Sequence, residues 1–114
     1  MSPTMRRADA EALLFDTVEV VDPATGAPLR RRVETPRYRA HRELRAAYEA
    51  AKAAFAAARE DAQRTASGRG TWPLLAGALQ LPVTQAYERW RAAGAERIEQ
   101  AEALLARAPG PDEA

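Results

Sequence analysis

The chain has no cysteine, no asparagine, a single lysine (Lys52) and a single histidine (His41) among its 114 residues. Without cysteine there can be no disulfide, no thiolate nucleophile and no zinc–thiolate site. Long apolar runs are missing too, and no stretch approaches the roughly 18–20 residues a membrane-spanning helix needs. The opening Met1-Ser2-Pro3-Thr4-Met5-Arg6-Arg7-Ala8-Asp9 carries two arginines. The segment behind it, Ala10-Glu11-Ala12-Leu13-Leu14-Phe15-Asp16, is too short and too charged for the apolar part of a signal peptide. A location in the cytoplasm, or within a phage or other assembly, is expected, with no membrane partner.

The formal charge is +1, which excludes the large basic excess that marks binding to nucleic acid or anionic lipid. Nearly all the cations are arginine, and alanine supplies about a quarter of the chain. That bias is associated with GC-rich bacterial or phage coding sequence. The length fits a single domain over 1–114, because two independent cores would each be too small to bury much surface. Within it, residues 1–34 are expected to form an N-terminal arm, 35–108 a helical hairpin, and 109–114 a flexible Pro- and Gly-containing tail.

Local signals place the elements. Residues Arg7 to Leu14 can form a short helix. Thr17-Val18-Glu19-Val20-Val21 is β-branched and partly alternating, Asp22-Pro23-Ala24-Thr25-Gly26 is a turn with a glycine for positive φ, and Leu29 to Glu34 resumes. That pattern predicts a β-hairpin with at most one weakly apolar side. Thr35-Pro36 is a helix start, a hydroxyl cap followed by a residue with no N–H to satisfy. From Pro36 to about Ala66 the chain lacks Gly and Pro, and Tyr38, His41, Leu44, Tyr48, Ala51, Phe55, Ala58 and Ala62 recur at steps of three and four. Those steps make one face of a helix roughly 45 Å long, as in a helical hairpin or coiled coil.

Ser67-Gly68-Arg69-Gly70 is expected to end the long helix, and Thr71 to cap a short apolar helix that Leu81-Pro82 interrupts. A further helix from Pro82 to about Arg107 would present Val83, Tyr87, Trp90, Gly94, Ile98, Ala101 and Leu105 on one face. The fold class is therefore mainly α: a long antiparallel α-helical hairpin with a short intervening helix and an N-terminal β-hairpin arm. Arg37, Arg39, Arg42 and Arg45 at one helix start, and Glu96, Glu99 and Glu102 at the last helix end, each oppose the local helix dipole. Antiparallel packing would bring the two sets together.

Chemistry-bearing motifs are scarce. His41 has Arg37, Leu44 and Arg45 at helical spacing and no second ligand, so it is expected to be a stripe residue. Ser2 and Ser67 lie outside any nucleophile context, Gly68 and Gly70 make a GxG too short for a phosphate loop, and Glu88, Glu96, Glu99 and Glu102 read as solvated surface. Trp72, Tyr87 and Trp90 fall on the apolar stripe and are expected in the core. No catalytic, cofactor-binding or metal-ligating residue is expected. The most basic stretch holds Arg30, Arg31, Arg32, Arg37, Arg39, Arg42 and Arg45, a candidate interaction surface for phosphate or for an acidic partner, or else a salt-bridged face.

Leu75 to Trp90 resembles a helix-turn-helix, with a small Ala76 in the first helix, Leu79 and Leu81 flanking the turn, and Ala86, Tyr87 and Trp90 packing inward. The resemblance implies that Thr84, Gln85, Glu88 and Arg89 face a DNA groove. Two functions follow as expectations. The first is a non-enzymatic structural, assembly or adaptor protein that acts through protein–protein contacts, self-associating or fitting into a larger bacterial or phage complex. The alternative is a small DNA-binding protein that uses the corner at 75–90.

Overall fold

Threonine hydroxyls decide where the two long helices begin. In the computed structural model, which describes residues 4–107, α1 spans Arg7–Leu14 and runs straight into β1 (Phe15–Val21). Next come β2 (Pro28–Glu34), α2 (Pro36–Gln63), α3 (Ala66–Ala92) and α4 (Ala95–Ala106). The chain is thus mainly α, with an antiparallel helical hairpin of α2 and α3 and a two-stranded antiparallel N-terminal hairpin. Ser2 and the tail expected at 109–114 lie outside the described residues.

Thr35 Oγ1 accepts the Tyr38 N–H at 3.1 Å and donates to the Leu13 carbonyl at 2.9 Å, while the Thr35 N–H reaches the Leu14 carbonyl at 2.9 Å. One buried residue therefore caps α2 and satisfies the end of α1. The start of α3 is set the same way by Thr65, whose Oγ1 accepts the Gly68 N–H at 2.9 Å. This shifts the expected boundary: Ser67-Gly68-Arg69-Gly70 is not a linker but the first turn of α3, and only Arg64 and Thr65 separate the two long helices. A Cβ on Gly68 would collide with the Ala62 carbonyl oxygen and lie 2.7 Å from Thr65 Oγ1. Glycine is what lets the chain reverse this tightly.

The expected short helix at 71–81 is not separate, because α3 continues through Pro73 and Pro82. Each proline removes a backbone donor and crowds the carbonyl four residues back, a cost of about 3 kcal/mol in a helix interior. Ring contacts with α2 lie on both sides of the prolines. Trp72 meets Phe55 at a centroid distance of 5.4 Å, and Tyr48 meets Tyr87 at 5.3 Å and stacks on Trp90 at 5.4 Å. Aromatic pairs of this kind each contribute about 0.5–1.5 kcal/mol beyond area burial, and Val83 and Trp90 are buried besides. The packing thus offsets the local breakers. The last helix breaks instead at Gly94, whose φ of 82° leaves the helical region, so the single helix expected over 82–107 becomes the end of α3 and a separate α4.

The backbone falls into two compact units, one holding the chain up to His41 together with Ala95 onward, the other Arg42–Gly94. In the first, α1 packs on α4 through Ala10, Leu14, Ile98 and Ala101, flanked by Phe15 and Tyr38. Arg7 closes this pairing. Its guanidinium donates to the carbonyls of Leu104 (3.1 Å), Leu105 (3.4 Å) and Arg107 (3.2 Å). These are the carbonyls a helix end leaves unsatisfied, at the negative pole of its dipole. In the second unit the α2–α3 hairpin is held by rings and by Val83. Ile98 therefore packs in the cluster with α1, which takes in Tyr38 at the start of α2, and not with the Tyr48, Tyr87 and Trp90 rings as its place on a common stripe with Trp90 suggested.

Candidate functional site

The β-hairpin places arginines by register. Arg30 sits opposite Glu19, Arg31 opposite Val18 and Arg32 opposite Thr17, so the strand's alternation sends Arg31 to one face and Arg30 and Arg32 to the other. Asp22 shapes the turn, with Oδ1 accepting the Ala24 N–H at 2.9 Å and Oδ2 the Thr25 hydroxyl at 3.1 Å, and Gly26 takes φ 71°. The face of Val18, Val20, Leu29 and Val33 is the weakly apolar one, interrupted by Asp16 and Arg31.

Where β2 leads into α2, a surface concavity of about 650 Å³ is lined by Phe15, Arg31, Arg32, Val33, Glu34 and Arg39. Arg32 is anchored at its edge: the guanidinium carbon lies 3.9 Å from the Phe15 ring centroid, and Nη1 lies 3.1 Å from Glu11 Oε2. That ion pair is half exposed, so it contributes at most about 1 kcal/mol. Its effect is mainly to hold the guanidinium over the ring. Three arginines, one aromatic residue and one carboxylate residue line the concavity, a composition that suits an acidic group. Among the described residues no group of three or more His, Cys, Asp or Glu is arranged to hold a metal ion.

Of the seven arginines expected to act together, Arg31, Arg32 and Arg39 line this concavity, and Arg30 and Arg37 belong to the same unit. Arg42 and Arg45 belong to the other unit, where the Arg45 guanidinium lies 5.9 Å from the Trp90 ring centroid. Glu102 accepts a hydrogen bond from the Tyr38 hydroxyl at 2.8 Å. His41 is buried at 1% exposure, with its ring 6.4 Å from that of Tyr38. Phe15, Val33 and Glu34 were not singled out as site residues. Phe15 follows directly on a short helix and starts a strand, and neither periodicity marks such a junction.

The helix-turn-helix resemblance has no turn to rest on. Leu79-Gln80-Leu81-Pro82 lies inside α3, so Thr84, Gln85, Glu88 and Arg89 are exposed positions on one continuous helix, not on a recognition helix set at an angle to a first. The reason is the packing of α3 on α2 either side of Pro82, which a reading of local breakers does not include.

A different surface was missed altogether. From Gly70 to Tyr87 no residue is charged, and within that stretch Leu74, Leu75, Leu79, Leu81 and Tyr87 are exposed, Leu74 at 83% and Leu81 at 54%. The signal was present as a run without charge, but the prolines invited its division between a short helix and the start of a longer one. No helix among the described residues is long and apolar enough to cross a membrane. Comparison with protein-family models, with curated proteins and with solved structures found no match to this chain.

Proposed function

We propose that this chain is a non-enzymatic structural or assembly protein that works by protein–protein contact, self-associating or fitting into a larger bacterial or phage complex in the cytoplasm. The observation that carries this reading is the distribution of large apolar side chains. The buried apolar set among the described residues is Ala10, Leu14, Val83, Trp90, Ala95, Ile98 and Ala101, three of them alanine, whereas Val21, Leu29, Leu74 and Leu81 are among the large ones that face solvent. Scattered exposed leucines are ordinary, but several on one uncharged stretch of helix mark a surface that another chain covers. The concavity of Arg31, Arg32 and Arg39 offers acidic side chains of a partner a second point of attachment.

Sedimentation at micromolar concentration and near-physiological salt tests the reading. A species larger than the monomer is the expected result. A monomer that melts cooperatively throughout that range would remove its main support.

A further inference from the structure

Helix α3 carries a pattern on its outward face that its own fold does not use. At 3.6 residues per turn, Leu74, Gly77, Ala78 and Leu81 lie on one side, opposite the Trp72, Val83 and Trp90 that serve the hairpin. All four are exposed. About the point between Gly77 and Ala78 the sequence is partly mirrored, although Gly70 and Gln85, Trp72 and Val83, Leu75 and Gln80, and Ala76 and Leu79 do not match. Leu74 mirrors Leu81, Pro73 mirrors Pro82, Thr71 mirrors Thr84, and the two small residues mirror each other. A two-fold axis through that point would set Leu74 of one copy against Leu81 of the other and the two small residues against each other. When two copies cross antiparallel, position i meets position j and j meets i, the condition for a closed, isologous interface.

Gly77 supplies an independent sign. It sits in the middle of a 27-residue helix, where glycine is less favourable than alanine by about 0.5–1 kcal/mol. A Cβ built there meets nothing within 4 Å among the described residues, so no contact among them requires the hydrogen side chain. A second helix crossing there would require it, because small residues at a crossing let two backbones approach.

We infer that this face of α3 is a two-fold interface between two copies of this chain: the helices cross antiparallel at Gly77 and Ala78, with Leu74 of each copy against Leu81 of the other. The absence of charge from Gly70 to Tyr87 means that no like charges meet across the axis. The inference rests on the self-association proposed above and specifies its surface, direction and register.

Because the chain has no cysteine, single introduced thiols report register directly. Seven residues of helix separate Leu74 from Leu81 by about 10 Å, beyond the roughly 7 Å Cα separation a disulfide can bridge. Under mild oxidation Ala78→Cys should cross-link as one species. Leu74→Cys and Leu81→Cys should each stay uncross-linked alone and form a mixed disulfide dimer when combined. Cross-linking of Leu74→Cys with itself would show a parallel pairing and overturn the inference. Leu74→Asp with Leu81→Asp should weaken association at least about tenfold, and association at wild-type strength would exclude this face while leaving the self-association reading standing. Gly77→Ala should raise the melting temperature of the dilute monomer while weakening the dimer severalfold. Dimerisation unchanged by Gly77→Ala would remove the crossing point. A wild-type chain that is monomeric would sink both the inference and the reading beneath it.

Discussion

Gly68 and Gly77 share one helix and have opposite surroundings, so the same substitution should act with opposite sign at the two positions. Alanine at Gly68 would drive a methyl group into the Ala62 carbonyl oxygen and the Thr65 hydroxyl, and the α2–α3 turn must open to admit it. A loss of about 1–3 kcal/mol in urea unfolding is expected, against a small gain for Gly77→Ala. Thr35 shows the same dependence on surroundings. Its hydroxyl both accepts from Tyr38 and donates to Leu13, so Thr35→Ala removes a cap and leaves a part-buried carbonyl without its donor. The expected cost is about 1–3 kcal/mol, and Thr35→Ser should recover most of it. Thr35 as a cap was legible because Thr-Pro is a local signal. The role of Gly68 was not, since it depends on where Ala62 sits after the chain turns back.

At the scale of elements, the prolines of α3 separate local rules from packing. If Pro82 is held inside a continuous helix, Pro82→Ala restores one backbone donor and relieves one crowded carbonyl without lengthening any helix. Far-ultraviolet circular dichroism should then stay constant while stability rises by up to about 3 kcal/mol. A clear gain in helicity would mean that a turn had existed there. The stacked rings carry the other side of the balance. Trp90→Ala removes the partner of Tyr48 and Tyr87 and should cost roughly 3–5 kcal/mol. Phe55→Ala should cost less, because Phe55 and Trp72 are only half-buried. The existence of the hairpin followed from periodicity. The placing of its internal boundaries did not, because Pro73 and Pro82 are breakers whose effect depends on what α2 contributes on either side.

For the molecule as a whole, salt distinguishes the two surfaces. An interface made by the uncharged face of α3 should hold or strengthen between about 0.1 and 1 M salt, since screening has no charges there to act on. An interface made by Arg31, Arg32 and Arg39 with acidic groups should weaken over the same range. Sedimentation across a salt series therefore reports which surface dominates self-association. Only part of the candidate site was legible beforehand. The arginines were conspicuous as a run, but strand register and helix phase send them to different faces and to two different units.

By itself the sequence determined the class of the elements and the starts of α1 and α2: the Thr35 cap, the turn at Asp22 to Gly26, and apolar steps of three and four all act through neighbours a few residues away. It also determined what is missing, from thiols to a membrane-length apolar run. Tertiary structure alone decided that α3 passes through two prolines, that the stripe of Trp90 and Ile98 divides at Gly94 so that Ile98 serves α1, and that Arg7 closes the end of α4. Each of these depends on groups far apart in the chain. A breaker costs a few kcal/mol locally, and whether the helix continues depends on the side chains that a distant segment brings against it.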